Sequence, residues 1–523
     1  MRRIQIYDTT LRDGAQAEGI SFSLQDKVLI AKRLDEMGFD YIEGGYPASN
    51  DKDANFFRKM GSHSFKSSSV CAFGMTRRKG MEPEEDQGLE SLAVCSAPVV
   101  MVVGKSSSFQ VRDVIQTTLE ENLAMVEETV RYLKGRGKRV FFDAEHFFDG
   151  WKDDPGYSLE AVKVAVRAGA ESVHLCDTNG GSMPAEIKAG VESVLGAVDV
   201  PVGIHAHNDC GLAVANSMAA VDAGASIIQG TVNGFGERCG NANLITIIAN
   251  LLLKTKGAYD LLLPDSLSRL TQLSRYVNEV LNVKPSNRQP YVGRSAFTHK
   301  GGMHVSGISR DTSAYEHVNP GKVGNERHVL VSELSGRSNI VVRTEKFHID
   351  DPEVLNSILA TVVQKENEGY HFEAAEASFD LMVMKAMGTY RSHFERINYR
   401  TDVASDEKGV FETLATVKIR IGNIIRHEVA EGDGPVNALD AALRKALTSV
   451  FPELRDMTLV DYKVRVLNSE AATAARVRVV IESKDDDEVW GTVGVDENVI
   501  EASWIALCDS FEYKLSKSRG KGK

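Results

Sequence analysis

The 523-residue chain contains no apolar run approaching the ~20 residues needed to cross a bilayer, so no membrane partner is expected. Its start, Met1-Arg2-Arg3-Ile4, enters a strand-like segment with no signal-peptide core, which predicts a cytoplasmic protein. The six cysteines (Cys71, Cys95, Cys176, Cys210, Cys239 and Cys508) form no CxxC pair. Neither a disulfide framework nor a cysteine zinc site is therefore indicated, and the thiols read as reduced. Positive charge is in deficit, with 61 Lys and Arg against 73 Asp and Glu and a net charge of -12. Nucleic acid, which needs concentrated Lys and Arg, is not an expected partner. The basic run Lys514 to Lys523 is short and reads as a frayed, solvated end.

What is present is an ordinary globular composition, 42% hydrophobic and 26% charged, with a regular rhythm in its first half. Eight short apolar strands are expected: Ile4 to Tyr7, Tyr41 to Gly45, Val70 to Phe73, Val99 to Val103, Arg139 to Asp143, Ser172 to Cys176, Val202 to His205 and Ile227 to Gly230. Helical periodicity separates them over Leu24 to Met37, Val114 to Leu133, Leu159 to Arg167 and Leu212 to Ala223, with Gly38, Gly169 and Gly224 as C-caps. Eight strand-helix units point to an α/β fold, a closed (β/α)8 TIM barrel. A doubly wound open sheet would carry a glycine-rich phosphate loop after the first strand, and Thr9 to Gln16 supplies none.

Barrel chemistry gathers at the carboxyl ends of the strands, where this chain places its unusual polar residues. His205 and His207 flank Ala206 at the end of the seventh strand. Alternation puts them on one face, roughly 7 Å apart along the chain, where two imidazoles can hold one metal ion. Asp13 follows the first strand, and alternate strands share an interior layer, so Asp13 is a candidate third ligand and Asn241 a weak fourth. Arg12, Glu43, Asp143, Glu145, Asp177 and Thr178 lie at other strand ends.

Beyond Leu253 the rhythm stops. Helices are expected over Leu261 to Lys284, Pro352 to Glu368 and Glu373 to His393, with a glycine-punctuated loop carrying His299 and His304 between the first two. Val383-Met384-Lys385-Ala386 approximates a biotin-attachment site, but that lysine needs a hairpin tip and here falls inside a helical pattern. After a polar break at Thr401 to Gly409 come strands at Thr413 to Ile421, Asp461 to Leu467 and Ala474 to Glu482, and helices at Val436 to Leu447 and Val499 to Phe511. The repeated order predicts a compact α+β domain without a catalytic constellation. The expected organisation is a barrel over 1–258, a mainly helical connecting region over 259–404, an α+β regulatory and dimerising domain over 405–515 and a basic tail over 516–523.

Asp8 to Gly14, His205-Ala206-His207-Asn208-Asp209, Gly234 to Asn241 and His299 to His304, taken in this order, resemble the α-isopropylmalate and homocitrate synthase family. The resemblance spans almost the whole chain, and the C-terminal part looks like that family's leucine-binding dimerisation domain. It implies a Claisen-type condensation of acetyl-CoA, as co-substrate, with a 2-oxo acid. It also implies a divalent metal ion (Mg, Mn, Co or Zn) on Asp13, His205 and His207 with Asn241 near, and Arg12 beside the developing negative oxygen. Glu145 and His304 are the candidate bases, Tyr315 joins His304 from the connecting region at the partner subunit's barrel mouth, and Thr178 anchors the oxo acid's carboxylate. Asp13 to Gly19 and Glu43 to Pro47 resemble most the members that take pyruvate, with Gln16 and Arg12 at the substrate. Many members have Glu-Gln where this chain has Ala15-Gln16, which argues against a straight leucine-pathway role. A homodimer and an amino-acid effector, isoleucine, at the C-terminal domain complete the expectation. Phe73, Val103 and Phe142 are expected by position to close the acceptor pocket. An aldolase, lyase or carboxyltransferase on a similar barrel would share the Asp and His-x-His geometry but lack the His299 to His304 loop and the C-terminal domain. A barrel kept only as a relic would have lost Arg12, Glu145 or His304.

Overall fold

Eight parallel strands close on one another in the computed structural model: β1 (Gln5–Asp8), β2 (Tyr41–Glu43), β3 (Ser69–Met75), β4 (Val99–Lys105), β5 (Arg139–Glu145), β6 (Ser172–Asp177), β7 (Val202–Ala206) and β8 (Ile227–Gly230). The structure describes residues 1–330, 340, 344–349, 351–405, 409, 411–467 and 475–520. Closure is made by β1, which pairs with β2 through Tyr7↔Tyr41 and with β8 through Gln5↔Ile227.

Alternation then sorts the side chains. Tyr7, Tyr41, Cys71, Val99, Met101, Phe141 and Ile227 fill the barrel interior, while Ile6, Ile42, Val100, Val102, Phe142 and Ile228 pack with the surrounding helices in the larger core. Phe142 thus faces the helices and does not close an acceptor pocket, whereas Phe73 packs against the interior set. The first helix spans Leu24–Met37 as its pattern predicts, started by a Ser23/Asp26 capping box and stopped by Gly38 at φ 84.

Residues 1–297 with 318–326 form one compact unit, and 298–317 with 327–523 form another. In the first, the segment after the barrel is helical over Leu270–Val280, shorter than the expected Leu261 to Lys284. In the second, the helix expected over Glu373 to His393 runs only over Glu376–Ala386, and Lys385 sits inside it. Glu395–Ser405 is instead a strand, paired antiparallel with Phe411–Ile421, which pairs in turn with Ile424–Glu431. A second antiparallel sheet joins Thr458–Val466, Val477–Lys484 and Val489–Asp496.

Helices Pro435–Thr448 and Val499–Gly520 pack with these sheets in one core around Leu439, Leu443, Trp490, Trp504 and Phe511. The expected frayed end is helix as far as Gly520, because Lys514 pairs with Asp456 and Asp485, and Lys517 with Asp485 and Glu488. Residues 468–474, the last of which begins the strand expected over Ala474 to Glu482, and 521–523, the end of the expected basic tail, lie outside the described residues. Among the described residues no helix is long and apolar enough to cross a membrane.

Candidate active site

The turn after β1 is built from its own polar side chains. Asp8 accepts the Thr10 amide at 3.0 Å and the Thr10 hydroxyl at 2.7 Å, and that hydroxyl accepts the Val232 amide from beyond β8 at 2.9 Å. The Thr9 carbonyl accepts the amides of Arg12, Asp13 and Gly14, so the chain coils directly above the barrel mouth. Burial drives the Asp8 carboxyl up to about 7 against these hydrogen bonds.

This turn delivers Asp13 to the histidines of β7. Asp13 Oδ2 lies 3.3 Å from His205 Nε2 and 3.8 Å from His207 Nε2, and the two Nε2 atoms are 3.2 Å apart. Asn241 donates its amide to Asp13 Oδ2 at 2.7 Å and leaves its own Oδ1 buried without a partner. The loop beyond β8 can approach so closely only because residue 236 is glycine: a Cβ there would stand 1.7 Å from Asn241 Oδ1. His207 Nδ1 is also buried without a partner.

Protonation favours the same conclusion. Burial opposes ionisation of Asp13, but Arg12, the two histidines and Asn241 outweigh it and hold the carboxyl at about 2. Burial pushes His207 down to about 4 and His205 down as well, so both rings are neutral near pH 7. A carboxylate and two neutral imidazoles whose donor atoms lie within 4.8 Å of one another form a ligand set. An ion bonded at ~2.1 Å keeps its ligand atoms about 3 to 4 Å apart, as found here.

Arg12 stands beside this set, with Nη1 3.5 Å from Asp13 Oδ1, Nε 2.5 Å from Glu43 Oε1 and its guanidinium 4.0 Å over the Phe73 ring. Burial disfavours its charge, yet Glu43 and Asp13 prevail and raise its pKa above the ordinary value. Glu43, at the end of β2, also accepts the Tyr7 hydroxyl at 2.7 Å. Below lies a relay that sequence reasoning missed: Gln229 on β8 contacts His205, Asp143 and His174. Its only signal in the sequence was a polar residue inside Ile227-Ile228-Gln229-Gly230.

Other candidates fall around the rim. Glu145 ends β5, paired in register with Lys105 of β4, whose ammonium is 2.5 Å from its carboxylate. The Thr178 hydroxyl accepts the His146 amide at 2.9 Å, and its carbonyl accepts Arg238, which also grips Asp209 with two bonds of 2.8 and 2.9 Å. Gln16 is exposed at the end of the first turn. His304 and Tyr315 belong to the second unit, where their rings stack with centroids 4.1 Å apart. Glu316, next to that tyrosine, holds His299 at 3.2 Å and receives Arg327 through two bonds of 2.6 Å.

Within the second unit, a cavity of about 680 Å³ opens between helix Pro435–Thr448 and strand Thr458–Val466, lined by Val436, Asn437, Asp440, Arg444, Arg455, Met457, Thr458, Leu459 and Tyr462.

Three family descriptions match the chain in succession: HMGL-like over residues 3–277, a homocitrate synthase post-HMGL domain over 291–368 and the LeuA allosteric (dimerisation) domain over 373–515. An (R)-citramalate synthase of Aquifex aeolicus is 49% identical over 525 residues, covering 99% of both chains. That of Geobacter sulfurreducens is 49% identical over 99% of this chain and 98% of its own, and that of Synechocystis 46% identical over 98% and 96%. With these matches end to end, the chain belongs to the (R)-citramalate synthase family of HMGL-like enzymes.

Proposed function

We propose that this protein condenses acetyl-CoA with pyruvate and water to give (R)-citramalate and CoA, the entry to a threonine-independent route to isoleucine. The single observation that carries the reading is near-half identity to (R)-citramalate synthases over the whole length of both chains. The balance is simple. One methyl proton leaves the thioester, the new carbanion forms a C–C bond with C2 of pyruvate, the ketone oxygen takes a proton, and water replaces CoA at the thioester carbonyl.

Asp13, His205 and His207 would hold a divalent ion, with the Asn241 carbonyl oxygen available to it. Such an ion supplies Lewis acidity toward a ketone and carboxylate, worth several kcal/mol of charge stabilisation. Arg12, a permanent cation fixed by Glu43, faces oxygen that gains negative charge in the reaction. Gln16 and Thr178 are assigned to the oxo acid. Glu145 is assigned to proton transfer together with His304 and Tyr315 of the partner subunit, a step for which a positioned base is worth ~100 to 10,000-fold.

The C-terminal domain carries regulation and dimerisation in this reading, and the cavity beside helix Pro435–Thr448 takes the amino-acid effector, isoleucine. Its support is a lining that combines apolar Val436, Met457 and Leu459 with charged Asp440, Arg444 and Arg455, which suits a ligand with an apolar side chain and both charges. The test of the reaction is product analysis. Full-length protein supplied with acetyl-CoA, pyruvate and a divalent metal is expected to form (R)-citramalate and free CoA in equal amounts, and CoA release without citramalate would contradict it.

A further inference from the structure

We infer that Gln229 is a positioning residue that fixes the tautomer of His205, so that the Nε2 lone pair faces Asp13 and His207. The inference rests on the reading of His205 as a metal ligand and goes beyond it by naming what prepares the ring.

Gln229 is fully buried on β8, and its amide is used in both directions. Its Oε1 lies 2.8 Å from His205 Nδ1. Its Nε2 donates to Asp143 Oδ1 at 2.7 Å and meets His174 Nδ1. An amide nitrogen has two hydrogens and no lone pair to offer, so its bond to Asp143 Oδ1 fixes which way the side chain points, and His174 Nδ1 on the same nitrogen must then accept. Oε1 is then left toward His205, where it only accepts, and His205 must present Nδ1–H.

His174 fits the same direction, because with Nδ1 accepting, its Nε2 carries the hydrogen and faces the Ser172 hydroxyl at 3.0 Å. The chain of bonds leaves His205 Nε2 without a proton, 3.2 Å from His207 Nε2. A ligand imidazole ordinarily donates its other N–H to an acceptor that sets the ring, and loss of that acceptor typically weakens metal binding 10- to 100-fold.

The experiment titrates full-length protein with Mn²⁺, reading the free ion by electron paramagnetic resonance. Gln229→Met, similar in shape but without an acceptor, is expected to raise the Mn²⁺ Kd about 10- to 100-fold. Gln229→Glu restores the acceptor toward His205, though not the donor toward Asp143, and is expected to bind Mn²⁺ more tightly than Gln229→Met. A folded Gln229→Met protein with unchanged Kd overturns the inference. The tautomer is also read without metal, by ¹⁵N-histidine NMR of the original chain. A hydrogen on Nδ1 of His205 is the expected result, and a hydrogen on Nε2 overturns the inference whether or not the variants fold. Absence of Mn²⁺ binding by the original chain would count against the metal reading, while the tautomer still decides this one.

Discussion

Arg12 reaches across from the turn after β1 to Glu43 at the end of β2, bonding it through Nε at 2.5 Å while its Nη1 stays 3.5 Å from Asp13. One planar cation therefore serves two carboxylates at once. Lysine offers a point charge and cannot do both. Arg12→Lys is expected to fold and to lose about 100- to 1,000-fold in kcat, the usual cost of removing a preorganised donor from developing negative charge. Free-thiol measurement of CoA release checks it, and a loss below tenfold would remove Arg12 from the charge-stabilising role.

His207→Ala removes one nitrogen from a set of three donor atoms at the barrel mouth. Elemental analysis after dialysis is expected to show metal content falling from about one ion per chain toward none, with an unchanged circular dichroism spectrum, since only Asp13 and His205 of the three donors remain to hold the ion. Full metal content in the folded variant would strike His207 from the ligands.

The pH dependence of the metal-free protein follows from its buried rings. His174 is held down to about 3 and His207 to about 4, each chiefly by burial, against an ordinary value of 6.5. At these two rings the unfolded chain takes up protons that the folded chain refuses, so their contribution to stability is complete above pH 6.5 and is lost as pH drops from there toward 4, by up to ~1.4 kcal/mol per pH unit for each histidine. Asp8, raised by burial to about 7, and Asp509, raised to about 6, contribute with the opposite sign over the same range, so the rings are read individually. NMR titration of the histidine rings in chelator is expected to find both still neutral at about pH 5. Protonation of either ring near its ordinary value of about 6.5 would contradict neutral burial.

Val436 lines the cavity of the C-terminal domain. Val436→Trp should fill that space, so that activity with isoleucine equals activity without it. Inhibition by isoleucine at the original concentration would place the effector elsewhere.

Much of this was legible before the structure because barrel strands impose strict alternation. His205 and His207 could be paired from spacing alone, and Asp13 joined to them from strand parity, as the distances bear out. Phe142 was misplaced by one step of the same alternation, and a single residue decides between barrel interior and helix layer. Strand Glu395–Ser405 was hidden because its side chains are mostly exposed, leaving no apolar period to read. Gln229 escaped because its importance lies in partners 24, 55 and 86 residues away in sequence.

The acceptor decides the central claim. Phe73, beneath Arg12, and Val103 on β4 are the residues proposed by position to close the acceptor pocket, and an added methylene is worth only ~1 to 3 kcal/mol, so 2-oxobutyrate should react detectably while a branched isopropyl group should not fit. The measurement is kcat/KM for pyruvate against 2-oxoisovalerate with saturating acetyl-CoA, followed by CoA release. A clear preference for pyruvate is the expected result, and a preference for the branched acid would contradict it and make the protein an isopropylmalate-forming enzyme.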